Sequence, residues 1–357
     1  MIEGLAETTA GVCKLVAGSV ADRMARRKPL IVAGYALSSL VRPLIALATA
    51  PWHVLSVRFF DRVGKGFRGS PRDALIADVT PPDQRGRAFG LQRAMDHLGN
   101  VAGPLIAWGW LASRASTPSG AELRQLFGFA AIPGALALAT LLFLVREPAR
   151  AAAATGGIAD GASARRFSVR PPASPTLRRF LLAHLVFGLA GSSDAFLLVR
   201  ASGLGVPLAQ LPLLVVLLHV VKSALATPLG ALSDRWPRRA LIVAGWSWYA
   251  LVYAGFAHAT TTWEAWLLFG VYGLHHALVE GAERALVAEL VPENERGRAF
   301  GSYHFVTAVT ALPASWLFGV ALGLFGAPAT FTAAAGIAAL GALLLAMLLR
   351  SESDLRA

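Results

Sequence analysis

Seven carboxylates stand inside long hydrophobic stretches of this chain: Glu3, Glu7, Asp61, Asp96, Asp194, Glu280 and Glu283. Arg58, Arg62, His275, His276 and His304 share such surroundings. Carboxyl groups withdrawn from water are the side chains best suited to load and unload a proton near neutral pH, and imidazoles titrate in the same range. Each also has a structural reading: a carboxylate paired with a nearby cation, or a histidine hydrogen-bonded to a neighbouring helix. A second stretch, "RFFDRVGKGFRGSPRD" from Arg58 to Asp73, holds Gly64-x-Gly66-x-x-Gly69, the spacing of a dinucleotide-binding turn, among cations that could suit nucleic acid. A dinucleotide turn needs a strand before it, a helix after it and an acidic residue about 20 positions on. None is present, so the glycine spacing is accidental in that sense.

The elements that must position these groups are membrane helices. The chain has 357 residues, of which 55% are hydrophobic and only 15% charged, and its mean hydropathy of +0.55 is too high for a soluble enzyme of this length. Punctuation by Gly, Pro and charge predicts spans near 2–21, 29–49, 52–77, 88–112, 125–146, 178–200, 209–232, 240–258, 264–288, 299–323 and 328–349. The fold class is therefore an all-α polytopic membrane protein. Net charge +12 does not point to nucleic acid, because alternate loops collect roughly 20 Lys/Arg and the opposite loops about 3, the bias that places the basic loops in the cytoplasm. Cys13 is the single cysteine and excludes an intrachain disulfide. No metal-ligand cluster, cofactor motif or nucleophile–base set stands out, which disfavours an embedded enzyme or receptor.

The two halves repeat each other. "GSVADRMARRKPLIVAG" from Gly18 matches "GALSDRWPRRALIVAG" from Gly230, and "ALIADVTPPDQRGRAFG" from Ala74 matches "ALVAELVPENERGRAFG" from Ala285. From Leu30 to Gly90 the second copy follows about 211 residues later without a gap. This divides the chain into a bundle at 1–146, a cytoplasmic linker rich in Ala, Gly, Pro and Ser at 147–177, and a bundle at 178–357.

Gly18-x-x-x-Asp22-Arg23-x-x-Arg26-Arg27, with its copy at Gly230, Asp234, Arg235, Arg238 and Arg239, resembles the loop motif of the major facilitator superfamily. Ala25 and Pro237 stand where that family usually has glycine. "GKGFRGSPRDALIA", Gly64 to Ala77, is similar to a stretch found in a largely uncharacterised subgroup. The resemblance implies two pseudo-symmetric bundles of five and six helices, about eleven in all, and a gating role for the loop motif together with Asp78. The family has twelve helices with loop motifs after the second and eighth; here they follow the first and seventh spans. The first family helix is thus expected to be missing, through truncation or a start codon placed too late.

Gly90-x8-Gly99-x3-Gly103-Pro104 is similar to the fifth-helix motif of the family's proton-coupled antiporters, although Ala107-Trp108 replace its two glycines; its glycines and proline are expected to bend the helix and let a neighbour pack closely. "RFFDRVG" resembles the fourth-helix arginine motif, with Arg58 in the arginine position. By resemblance the fourth helix also lines the transport cavity, which makes the arc of Arg58, Asp61, Arg62, Lys65, Arg68, Arg72 and Asp73 a cavity wall opposite Phe59, Phe60, Val63 and Phe67. Charges at membrane depth cost about 2.5 to 3.5 kcal/mol each on insertion scales, so that face must meet protein or water. Its repeat image carries His276, Glu280, Glu283 and Arg284, with signs inverted at Arg72/Glu283 and Asp73/Arg284. Cross-half ion pairs there would make a two-state gate.

The expected function is secondary active transport of a small solute by alternating access, as proton-coupled efflux by a monomer in the cytoplasmic (inner) membrane. A proton-coupled nutrient symporter and a truncated, non-transporting membrane protein are the alternatives. Because the repeat requires a partner for the seventh family helix, the DNA upstream of Met1 should encode in frame another apolar span of about 20 residues. Genomic sequencing that meets an in-frame stop just before Met1 removes that expectation.

Overall fold

Several helices begin where Pro, Ser, Thr or Arg opens an apolar run, as at Pro51, Pro175, Arg238 and Thr262. The computed structural model describes residues 2–112, 120–129, 131–147 and 168–349. Among them every regular element is helical: α1 Ile2–Ala21, α2 Lys28–Val41, α3 Pro51–Val79, α4 Arg85–Ala112, α5 Gly120–Phe129, α6 Ala131–Ala139, α7 Pro175–Ala190, α8 Asp194–Gly203, α9 Leu211–Leu232, α10 Arg238–His258, α11 Thr262–Glu289 and α12 Arg296–Leu348. Among the described residues six helical stretches are long and apolar enough to cross a membrane, Lys28–Leu47, Arg124–Leu144, Pro175–Gly203, Leu208–Leu232, Arg238–His258 and Glu293–Leu348, while the expected spans 2–21, 52–77, 88–112 and 264–288 lie on α1, α3, α4 and α11. Most of the expected linker, 148–167, lies outside the described residues.

Several ends have local causes. Ser174 caps α7, accepting from the Leu177 amide at 3.2 Å, with Pro175 in the first turn, where it removes an amide that would be unpaired anyway. Thr261 and Glu264 form a capping box at the start of α11. Gly326, at φ 75°, breaks α12 into two spans at a backbone angle that glycine adopts without a Cβ clash. The span expected at 178–200 is not one helix. It breaks between α7 and α8, where Gly191 is extended and Ser193 recaps the chain. Two tyrosines hold the break: Tyr249 Oη donates to the Ala190 carbonyl at 3.0 Å and Tyr253 Oη lies 2.8 Å from Ser192 Oγ. The break places Asp194 at a helix start.

The described residues pack as two units. One comprises 1–79, 103–172 and 292–305, and the other 80–102, 173–291 and 306–357. In the first unit α3 packs on α1 and α2, and its glycines show why. A Cβ at Gly64 would collide with Ser38 and the Gly34 carbonyl, one at Gly66 with Cys13, and one at Gly69 would press on the Lys14 stem. The Gly64, Gly66, Gly69 spacing therefore lets three membrane helices approach closely. The start of α12 joins the same unit, its Gly297 and Gly301 lying against Gly18 and Leu15 of α1.

In the second unit α11 packs on α9 and α10 over a core that includes Tyr249, Tyr253, Phe256, Phe269 and Phe331. Here the start of α4 lies against α9 as α12 does against α1, with Gly86 and Gly90 meeting Gly230 and Ala226. Apolar side chains such as Leu40, Trp52, Phe143, Trp316 and Phe325 stay exposed, as a bilayer-facing surface requires.

One packing expectation is corrected. Gly90 is a close-contact position, but a Cβ at Gly99 or Gly103 would meet nothing within 4 Å among the described residues, and Pro104 simply continues the helix. The close approach on α4 is made more than two turns earlier, at Gly86 and Gly90. Accordingly Gly18→Ala and Gly230→Ala should each destabilise the protein by roughly 1–3 kcal/mol through overpacking, while Gly99→Ala and Gly103→Ala should be neutral or stabilising. Thermal unfolding in detergent, followed by tryptophan fluorescence, separates the two pairs.

Candidate functional site

The paired loop motifs build two constellations with corresponding partners. Asp22, at the end of α1, turns its carboxylate onto the first turn of α12: Oδ1 accepts from the Gly297 amide at 2.8 Å and Oδ2 from the Arg298 amide at 2.8 Å. Asp234, after α9, does the same for α4, accepting from Gly86 at 2.7 Å and Arg87 at 2.8 Å. Opening amides of a helix have no partner within it, and they sit at the positive end of its dipole. An anion supplied from another helix therefore makes charge-assisted bonds there.

An arginine completes each cap. Arg27, fully buried, reaches Asp22 at 3.1 Å, Asp78, and the Glu293 carbonyl at 3.1 Å. Arg238 reaches Asp234 at 3.3 Å, Glu289 at 2.7 Å and the Pro82 carbonyl at 2.7 Å. Asp78 also accepts from Arg296 at 2.7 Å. These images show that Arg27 corresponds to Arg238, whereas the aligned motifs match Arg26 to Arg238 and Arg27 to Arg239. The second copy is one residue shorter, and the structure puts the gap before the buried arginine. Arg23, Arg26 and Arg235 are exposed, and Arg239 donates to the Ala346 carbonyl at 2.6 Å. No residue other than glycine adopts a positive φ among those described, so Ala25 and Pro237 make their turns without the missing glycine.

A second constellation lies within the second unit. One stripe of α11 presents Tyr272, His276 and Glu280, four residues apart. Glu280 receives Arg93 of α4 in a two-toothed pair, at 2.5 Å from Nε and 3.0 Å from Nη2. His97, one turn further along α4, lies 3.0 Å from the same carboxylate through Nε2, and His276 lies 3.3 Å away through Nδ1. On α9, His219 faces His97, with their Nδ1 atoms 3.3 Å apart. Lys222, one turn on and buried, approaches Asp194 at 3.9 Å, and Tyr272 Oη donates to Asp194 at 3.5 Å. Asp96 lies at the edge, 43% exposed, within 3.1 Å of Arg93 and 2.5 Å of Gln92. Asp96, Asp194, His276 and Glu280 are thus brought into one network.

Arg93, His97, His219 and Lys222 join them unforeseen. Their signal in the sequence was ionisable residues one turn apart on otherwise apolar helices.

The remaining candidates go elsewhere. Asp61 pairs with Arg42 at 2.8 Å and Lys65 at 4.0 Å within the first unit. Arg58 is exposed beside Phe59 and Phe60, and Arg62 is half-buried. Arg68 stacks over Tyr35 at 4.2 Å. Asp73, fully buried, lies 3.1 Å from Arg72 and 2.8 Å from His304. Glu283 accepts from the Trp246 indole at 2.8 Å, with His184 at 3.9 Å. Arg284 donates to the Glu280 carbonyl at 2.6 Å, and His275 Nδ1 lies 2.8 Å from the Gly245 carbonyl. The side chains of Glu3 and Glu7 lie outside the described residues. No group of acidic, histidine or cysteine side chains that could hold a metal occurs among those described.

If the two caps are equivalent latches, Asp22→Asn and Asp234→Asn should act alike, since each loses one accepting oxygen and the charge. Labelling of Ala299→Cys beneath the first cap and Ala88→Cys beneath the second, in a Cys13→Ser background, should accelerate several-fold in the matching variant. Rates unchanged in both would count against a latch.

The sequence profile described as Major Facilitator Superfamily matches residues 4–219 and 180–356. The chain is 28% identical over 330 residues to an uncharacterized MFS-type transporter of Methanocaldococcus jannaschii, covering 89% of this chain and 78% of that one. It is 27% identical over 320 residues to the class C tetracycline resistance protein of Escherichia coli, covering 84% and 74%. Among solved structures, the human organic anion transporter MFSD10 superimposes with a TM-score of 0.81 at 18% identity, over 96% of this chain and 82% of that one.

Proposed function

The chain belongs to the major facilitator superfamily, and on that footing we propose that this multi-pass membrane transporter is a proton-coupled exporter of a small solute. The observation that carries the proposal is Glu280, a carboxylate 14% exposed on a membrane helix and held by Arg93, His97 and His276. A carboxylate so placed can exchange a proton for its cation partner, which converts proton binding into release of Arg93. Asp22 and Asp234 serve in this reading as the gate, holding the starts of α12 and α4 in one state and freeing them in the other. Export is favoured by the fifth-helix likeness at Gly90, Gly99, Gly103 and Pro104 and by the resistance protein among the relatives. The site lies in the cytoplasmic membrane, and an excess of cations on α3 favours an anionic or zwitterionic solute.

The test uses proteoliposomes with a pH-sensitive dye inside and a panel of solutes that begins with tetracycline. Antiport discharges an acid-interior gradient as solute enters, and reversing the gradient reverses solute flow. Symport gives the opposite sign. Glu280→Gln should lower gradient-driven flux on the order of tenfold or more, a loss of about 1.4 kcal/mol per decade, while solute exchange without a gradient persists. Gradient-driven flux intact in Glu280→Gln would exclude this carboxylate as the coupling group.

A further inference from the structure

His97 and His219 lie in a line with Glu280 that pairing alone does not require. Glu280, as a carboxylate, can only accept, so His97 Nε2 at 3.0 Å is the donor to it. A neutral His97 then carries a lone pair on Nδ1, which faces His219 Nδ1 at 3.3 Å. His219 must donate there, leaving its own Nε2 without a proton. His219 is half-buried, whereas His97 is buried. The line therefore runs from the more accessible ring on α9, through the ring on α4, to the carboxylate on α11.

We propose that His219 and His97 form a two-step relay that loads Glu280 with its proton, deepening the proton-coupled reading on which it rests. A proton from water arrives on His219 Nε2. The N–H bond at His219 Nδ1 breaks as one forms at His97 Nδ1, and the N–H bond at His97 Nε2 breaks as an O–H bond forms at Glu280 Oε2. One proton has entered and one rests on the carboxylate. Both rings are neutral again with inverted tautomers, and unloading runs the same steps backwards.

The surrounding charges set the direction. Lys222, one turn from His219 on α9, disfavours an imidazolium resting there, and Asp194 moderates that charge from the start of α8. At the far end Arg93 and His276 face the carboxylate, and the Arg284 guanidinium lies on the main-chain carbonyl of Glu280. Tyr272 binds Asp194 and takes no part in the line. Loading Glu280 removes the charge that holds Arg93, which already reaches Asp96 at 3.1 Å. The arginine thus has a second carboxylate to move to.

The experiment follows the infrared C=O band of a protonated carboxyl after a rapid pH drop, on purified full-length protein in detergent with no solute present. The component lost in Glu280→Gln identifies the residue. His219→Gln, which keeps an amide donor toward His97 but cannot pass a proton, should slow loading at least tenfold with its final amplitude kept, and free imidazole should restore the rate in His219→Gly. Wild-type protein supplies a check that depends on no variant, since ring bands of histidine must change together with the Glu280 band as the tautomers invert. Loading at the wild-type rate in His219→Gln, or no histidine signal in the wild type, overturns the relay while leaving Glu280 as coupling group. Failure of the flux test on Glu280→Gln instead removes the coupling reading and leaves the measured relay standing.

Discussion

Two helix starts that cannot satisfy their own amides govern much of this structure. The first turns of α4 and α12 are packed against α9 and α1 through glycine seams so tight that a methyl group would clash with backbone, which leaves little room for water at their amides. Leaving those donors unpaired would cost roughly 1–3 kcal/mol each. Asp234 and Asp22 answer that need, and Arg238 and Arg27 then neutralise the aspartates. Glycine at Gly18, Gly86, Gly230 and Gly297, aspartate at the helix end and a buried arginine are one solution used twice.

This cap bears directly on the Glu280 network because α4 takes part in both. Arg93 lies seven residues beyond Gly86 on the same helix, a rise of about 10 Å. Whatever releases Arg93 from Glu280 loosens the hold of α11 on α4, and the other restraint near that helix start is Asp234. In the proposed reading, protonation and gating are two forces on a single rigid rod. The ionic character of the Glu280 network fits that reading, since a coupling device needs charges that are stable when paired and mobile when one partner is neutralised.

Much of this was legible in the sequence, because membrane helices announce themselves by length and apolar content and because the repeat offered an internal check. The all-helical architecture and the residues of both caps were readable from hydropathy and the doubled motif. The position of the gap was not: "RMARRK" and "RWPRR" align equally well until Arg27 and Arg238 are seen on matching partners. Gly99 and Gly103 misled because glycine spacing alone does not say which glycines face a neighbour. Arg93, His97, His219 and Lys222 were overlooked because neither the pair on α4 nor the pair on α9 points to the other in sequence, and only the packing of α4, α9 and α11 makes them a network. The break at Gly191 was hidden by the continuous hydropathy on both sides of it.

The mechanical link through α4 is the central claim, and hydrogen exchange at residues 85–89 tests it most directly. Glu280→Gln imitates the proton-loaded carboxyl without touching Asp234. The account predicts faster exchange of the Gly86 and Arg87 amides in that variant than in the wild type, with the helix interior of α10 unaffected as an internal control. Exchange at 85–89 unchanged by Glu280→Gln, in protein whose α10 is equally protected, would contradict it.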